Sequence, residues 1–224
     1  MRFIEVCATS LFDVTEAMAG GASRIELCSA LELGGITPSY GTIAQVMANC
    51  NIPVNILIRA RGGDFVYTQE EVDVMVEDIR FCKKLGVNGV VIGALTPEGN
   101  IDIPAMKQMI EAAKPELDVT FHRAFDRACN PMESLEEIIS LGCDTLLTSG
   151  QNKESAEYGV DLLASLVKQS NGRITIMPGK GVRVENIGYI EKESGASQFH
   201  STARSARFNN QHTGREIVSA MTGN

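Results

Sequence analysis

The chain has 224 residues and a formal net charge of −8, with 44% hydrophobic residues, 5% aromatic residues and no tryptophan. The acidic balance argues against a broad basic face, so a nucleic-acid partner is not expected. No apolar run approaches the ~20 residues that span a bilayer, and the chain enters a strand pattern at Phe3 without the features of a signal peptide. We therefore expect a cytoplasmic protein with no membrane partner.

Eight short runs rich in valine, isoleucine, leucine and phenylalanine predict strands. They are Phe3–Cys7, Arg24–Cys28, Val54–Ile58, Gly89–Gly93, Val119–His122, Thr145–Thr148, Ile174–Met177 and Gln198–His200. Stretches of helix length separate them, as between Thr68 and Leu85, where apolar residues recur every three or four positions. Thr68 with Glu71 predicts a capping box, Gly86 predicts a helix end, and Asn130 before Pro131 predicts a helix start.

A short repeat precedes every second predicted strand: a glycine, a small or apolar residue, and a polar residue. Its four copies are Gly21-Ala22-Ser23, Gly86-Val87-Asn88, Gly142-Cys143-Asp144 and Gly195-Ala196-Ser197. Helices alternating with strands in four quarters predict an α/β fold, a TIM (β/α)8 barrel, as one domain over residues 1–224. A doubly wound open sheet is the competing prediction, but no G-x-G-x-x-G follows the first strand. Residues 205–224 are expected to form a C-terminal helix or tail.

Polar side chains at the carboxyl ends of barrel strands form the functional rim of this fold. Glu5 and Cys7 share one face of the first strand, as Glu26 and Cys28 do on the second, and we expect both pairs to point inward. Buried carboxylates need partners, for which the candidates are Arg59, Arg61 and Arg123. The candidate catalytic residues are Glu5, Glu26, Arg59, Arg61, His122, Arg123, Asp126 and His200. For Glu5 and Glu26 the alternative is an internal ion-pair network that only fills the barrel.

The last two strand–helix loops predict an anion site, because glycines expose backbone N–H groups and the corresponding loops of TIM barrels grip phosphate. The predicted anion-binding residues are Ser149, Gly150, Gly179, Lys180, Gly181, Ser201 and Arg204. A plain tight turn is the alternative at Gly179–Gly181.

Two metal sites are conceivable from the residue types. Cys7 and Cys28 are expected on adjacent strands at one level, where two sulfurs suit a soft ion such as Cu(I). His122 and His200, with Glu26 or Asp126, would instead suit a divalent ion. A pair of buried small residues is the alternative for the two thiols, and the six cysteines form no C-x-x-C pair.

Several long motifs resemble those of the CutC family, named as copper homeostasis proteins. They are Glu5-Val6-Cys7, the run from Gly20 to Cys28, Gly34 to Ser39, Ile58 to Phe65, Thr120 to Asp126, Leu147 to Gly150 and Ile176 to Gly179. The resemblance implies a cytoplasmic TIM barrel that forms a homo-oligomer, a dimer or tetramer, with a part in copper handling and copper binding at Cys7 and Cys28. The chain departs from the family's pattern at Lys180, which replaces a glycine, and at Ser201-Thr202, where Gly-Ser is usual.

Two functions stay open at this point. The first is participation in copper homeostasis through Cu(I) binding. The second is an enzyme of unassigned reaction on a phosphorylated small molecule at the rim, with His122 or His200 as acid or base and arginines neutralising developing charge.

Overall fold

The computed structural model describes residues 1–223, in which eight parallel strands alternate with eight helices. The strands are β1 (Phe3–Ala8), β2 (Arg24–Leu27), β3 (Val54–Leu57), β4 (Gly89–Ile92), β5 (Asp118–Phe121), β6 (Thr145–Thr148), β7 (Thr175–Pro178) and β8 (Gln198–Ser201). The helices are α1 (Leu11–Ala19), α2 (Tyr40–Asn49), α3 (Gln69–Leu85), α4 (Ile103–Ala113), α5 (Pro131–Ser140), α6 (Val160–Ser170), α7 (Ile187–Ser194) and α8 (Arg215–Thr222). The α/β TIM-barrel prediction is confirmed.

The strands pair in the order β7-β6-β5-β4-β3-β2-β1-β8, all parallel. No hydrogen-bonded ladder joins β7 to β8 within residues 1–223, although the two strands lie side by side. A Cβ placed on Gly179, just after β7, would lie 3.4 Å from Cβ of His200 on β8. The barrel is therefore nearly closed, and packing rather than backbone pairing joins its last two strands.

Capping residues and glycines that the sequence predicted at helix ends lie at those ends in the structure. Thr68 and Glu71 form both bonds of a capping box at α3, which ends on Gly86 in the left-handed region (φ 74°). The first glycine of all four repeats has positive φ, which explains why glycine recurs there. Helix α5 begins at Pro131 as predicted, but Asn130 makes no side-chain cap bond to the helix backbone.

Helix α8 docks on the barrel beside α1. Val218 and Met221 are fully buried, and the backbone N–H of Arg2 donates to the carbonyl of Thr222 at 3.0 Å. A Cβ on Gly20 would come within 2.6 Å of Val218, so the glycine permits the close approach of the two helices. The described part of the predicted C-terminal segment, residues 205–223, thus contains a packed helix; residue 224 lies outside the described residues.

The two faces of the sheet differ sharply in chemistry. Outward residues such as Ile4, Val6, Ile25 and Leu27 belong to the apolar core shared with the helices. Inward positions include the charged or polar groups Glu5, Glu26 and His200, together with a small separate cluster of Cys7, Cys28, Leu57 and Val91. In residues 1–223 no helix is long and apolar enough to cross a bilayer.

Candidate functional site

A cavity of about 930 Å³ opens at the carboxyl ends of the strands. Six cations line it: Arg59, Arg123, Arg127, Lys180, Arg183 and Arg204. Within residues 1–223 only two carboxylates do so, Glu26 and Glu185. The mouth therefore carries an excess of positive charge in a chain whose net charge is −8, which favours an anionic ligand.

Glu5 lies beneath this cavity and is fully buried. Its carboxylate accepts from Nε of Arg24 at 2.6 Å and from Nδ1 of His200 at 2.7 Å. Burial would raise the pKa of Glu5, but the His200 hydrogen bond and the Arg24 charge hold that pKa below its ordinary value. The sequence-based choice of Arg59, Arg61 or Arg123 as the partner of Glu5 was wrong, because the register sets Arg24 directly beside Glu5.

His200 links this buried pair to the cavity. Its Nδ1–H is held by Glu5, so Nε2 is left on the side of Glu26, whose Oε2 lies 3.8 Å away. Burial opposes the charged imidazolium, but Glu26 and Glu5 together raise the pKa of His200. Burial also raises the pKa of Glu26. A carboxyl and an imidazole, each with a raised pKa, thus lie side by side, and such a pair can exchange a proton.

Two thiols adjoin His200 and Glu26. The sulfurs of Cys7 and Cys28 are 3.5 Å apart, and both side chains line the cavity. One ligand atom each from Cys7, Glu26 and His200 lies within 4.8 Å of the others, the geometry of a three-donor metal site. The hydrogen bond with Cys28, together with burial, raises the pKa of Cys7 well above its ordinary value.

His122 lies across the mouth from His200 and has different hydrogen-bond partners and an opposite pKa shift. Its Nδ1 accepts from the backbone N–H of Ala124 at 3.2 Å, which caps the short 3₁₀ turn Arg123–Arg127. Burial and the charge of Arg59 lower the pKa of His122 to about 3. The ring is therefore neutral near pH 7, and the acid–base role considered for it does not fit this environment.

Arg59 is 97% buried beside the aromatic ring of Phe65, 4.7 Å from the ring centroid. Its guanidinium donates to the carbonyls of Leu33, Gly35 and Gly63. These three hydrogen bonds fix the position of the Arg59 guanidinium. Because the acceptors are neutral carbonyls, they do not compensate its positive charge.

The loops after β7 and β8 supply the opposite wall. Lys180, Gly181, Ser201 and Arg204 line the cavity. The hydroxyl of Ser201 donates to the carbonyl of Val182 at 2.8 Å, which ties the two loops together. Lys180 donates to the carbonyl of Lys153, so part of its donor capacity is used within the protein.

Other predicted site residues do not line the cavity. Arg61 pairs with Glu71 and Asp64 instead. Asp126 accepts from Ser149 N and Gln151 N and pairs with Arg123, so it organises the loop after β6. The remaining predicted anion ligands use their N–H groups internally: Ser149 to Asp126, Gly150 to Thr148 Oγ1 and Gly179 to the Thr148 carbonyl.

Several residues of this region were not predicted from the sequence, among them Arg24, Phe65, Arg127 and Arg183. Arg24 had a usable signal, since it lies two residues before Glu26 and therefore shares its inward face. The other three lie outside regular strands, where no periodicity reports the direction of a side chain.

Comparison with known proteins identifies the family. The model of the CutC family matches residues 2–205. The chain belongs to the CutC family. A CutC family protein from Parabacteroides distasonis is 52% identical over 218 residues, covering 97% of this chain and 89% of the relative, and one from Xylella fastidiosa is 48% identical over 202 residues, covering 90% and 75%.

A solved CutC structure agrees with the fold. The copper homeostasis protein CutC from Streptococcus agalactiae superimposes with a TM-score of 0.85 at 38% identity, covering 90% of this chain and 99% of that one. Relatives in the CutC family thus carry a name that refers to copper homeostasis.

Proposed function

We propose that this CutC-family chain takes part in copper homeostasis by binding Cu(I) at Cys7, Cys28 and His200. The observation that carries the proposal is the convergence of soft donors: two thiols 3.5 Å apart, with an imidazole nitrogen within 4.8 Å of Cys7. Thiolates with imidazole select Cu(I) over hard cations. Glu26 lies next to these donors as a fourth polar group.

The groups behind the donors also suit a metal ligand. Glu5 accepts from Nδ1–H of His200, which leaves Nε2 to carry the lone pair for a metal. Arg24 holds Glu5 in turn. Because the pKa of Cys7 is raised, binding must displace its thiol proton, and the neighbouring Glu26 can accept it.

Competition with a chromogenic Cu(I) chelator tests this proposal. We expect Cys7→Ser and Cys28→Ser each to weaken Cu(I) binding by more than about a hundredfold, since even groups behind metal ligands contribute 10–100-fold. Cys129→Ser is the matched control, because Cys129 is an exposed thiol outside the cavity. Unchanged affinity in the Cys7/Cys28 double variant, or an equal loss in the control, would refute the proposed site.

A second candidate function is an enzyme acting on a phosphorylated small molecule, and the observation that favours it is the cationic mouth. Among the described residues six cations and two carboxylates line the cavity, an excess of positive charge that suits an anion rather than a copper cation. We propose that Lys180, Gly181 and Arg204 take the phosphate, with His200 and Glu26 exchanging protons.

Thermal unfolding with sugar and polyol phosphates tests the second candidate, because a ligand that binds only the folded state raises Tm. A rise that disappears in Lys180→Gln is expected. No rise with any phosphate, or one that Lys180→Gln leaves intact, would contradict this assignment. The cytoplasmic location and the homo-oligomer, a dimer or tetramer, stay predictions, the second measurable by analytical ultracentrifugation.

A further inference from the structure

His122 holds a hydrogen-bond donor that the protein does not use. Because Nδ1 accepts from the N–H of Ala124, the proton of the neutral ring must be on Nε2. That Nε2 is buried and has no hydrogen-bond partner among the described residues. An unsatisfied buried donor destabilises the folded protein, and a ligand that accepts from Nε2–H would remove this penalty.

The orientation of the ring is fixed by its neighbours. A Cβ placed on Gly93 would lie 2.5 Å from Nδ1 of His122, so only glycine leaves room for the ring there. The ring of Phe65 packs against it with centroids 4.9 Å apart. These contacts and the bond to Ala124 leave the imidazole little freedom to turn Nε2 toward another partner.

Arg59 provides a second, independent observation on the same side of the cavity. Within residues 1–223 no carboxylate lies within 4.0 Å of its guanidinium, although the side chain is 97% buried. Buried charges in proteins are normally paired. A buried cation that is held by three carbonyls and lacks a counter-ion indicates that the negative charge comes from outside the chain.

We propose that Arg59 and His122 form a binding site for an oxyanion group, a carboxylate or a phosphate, of a small molecule, with His122 Nε2–H donating to one of its oxygens. Arg123 and Arg127, which line the same wall, add positive charge around the group. The proposal rests on the second candidate function, in which the cavity takes an anionic small molecule. It assigns to His122 the role of a neutral donor and leaves proton exchange to His200 and Glu26.

The low pKa of His122, about 3, agrees with this role. A neutral imidazole polarises an oxygen without giving up its proton, whereas the positive charge of an imidazolium would be repelled by the adjacent arginines. The charged groups that face the ring are Arg59 and Arg123. Both are cations, so they keep the ring neutral while they attract the anion.

Two substitutions at one position separate the donor from the cap. His122→Asn keeps an oxygen near the place of Nδ1 to accept from Ala124 N–H, but nothing reaches the place of Nε2. His122→Gln carries its amide N–H to about the place of Nε2. We expect His122→Asn to weaken binding of inorganic phosphate or acetate about tenfold, the effect of one hydrogen bond to a charged group, and His122→Gln to stay within about threefold of the unmodified protein.

Calorimetric titrations with inorganic phosphate and with acetate measure these affinities, and the anion that binds more tightly identifies the ligand group. His212→Gln is the control, since His212 contacts Asp13 and does not line the cavity. NMR of protein labelled with ¹⁵N-histidine reports on the ring directly. The added anion should change the ¹⁵N chemical shift of His122 Nε2 and leave the ring neutral, with its proton on Nε2.

The outcomes separate this inference from the function on which it rests. If phosphate binds and Lys180→Gln weakens it while His122→Asn does not, the anionic ligand stands and the Arg59–His122 site is refuted. If neither anion binds the unmodified protein, the second candidate function and this site are refuted together. Loss in both Lys180→Gln and His122→Asn, with retention in His122→Gln, supports both.

Discussion

Replacing Glu5 by glutamine tests the role of the buried Glu5 carboxylate, which contacts Arg24 and His200 at the base of the site. The Glu5 carboxylate is fully buried and accepts two short hydrogen bonds, 2.6 Å from Arg24 and 2.7 Å from His200. A glutamine presents one oxygen and one NH₂, so its NH₂ must face one of two donors. The substitution also leaves the guanidinium of Arg24, 88% buried, without its counter-charge.

We expect Glu5→Gln to lower the free energy of unfolding by about 3–5 kcal/mol, the usual cost of removing one partner from a buried ion pair. That is a large part of the 5–15 kcal/mol that typically separates folded from unfolded protein. The pKa of His200 should fall as well, because Glu5 contributes to raising it through a hydrogen bond and its charge.

Urea unfolding measures the first effect, and ¹⁵N NMR titration of the His200 ring measures the second. Glu191→Gln is the matched control: its ion pair with Arg2 is similarly short, 2.8 Å, but partly exposed to solvent, where such pairs contribute no more than about 1 kcal/mol. A loss in Glu5→Gln no greater than in the control would refute the account of the buried pair.

Three further predictions follow from other parts of the molecule. The pKa of His122 falls from 6.5 to about 3 on folding, so below pH 6.5 the unfolded chain binds a proton that the folded chain does not, and the free energy of unfolding should drop by about 2 kcal/mol from pH 6.5 to 5. Urea unfolding of His122→Asn should lack this drop. The same pH dependence of the free energy of unfolding in both proteins would contradict the prediction. Met221→Ala should cost about 2–5 kcal/mol because Met221 is fully buried on the inner side of α8, and a thermal or urea shift equivalent to less than about 1 kcal/mol would argue against the docked helix. Cu(I) affinity in chelator competition should rise with pH, by up to about tenfold per unit for each proton displaced, because the pKa of Cys7 is raised; a flat profile would show that no thiol proton leaves.

The barrel could be predicted because its signals are local. Strand runs, helix caps and the glycine that ends every second helix each depend on a few neighbouring residues, and the structure reproduces them with shifts of a residue or so, as at β1, which extends to Ala8. The inward direction of Glu5, Cys7, Glu26 and Cys28 followed from the two-residue period of a strand.

The rim was harder to predict, since the strand period stops where the strand stops. Arg59 and Arg61 have the same parity after β3, yet Arg59 lines the cavity and Arg61 pairs with Glu71 outside it. Asp126 and Ser149 have residue types suited to a ligand but satisfy loop backbone instead. The partner of Glu5 depends on the register between β1 and β2, which no local pattern reports.

Anomalous diffraction from crystals loaded with Cu(I) tests the central claim most directly, because it locates the metal without a variant. The account predicts one copper peak in the barrel mouth, bonded to the sulfurs of Cys7 and Cys28 and to Nε2 of His200. A peak at other residues, or none in the mouth of protein shown to carry copper, would contradict it.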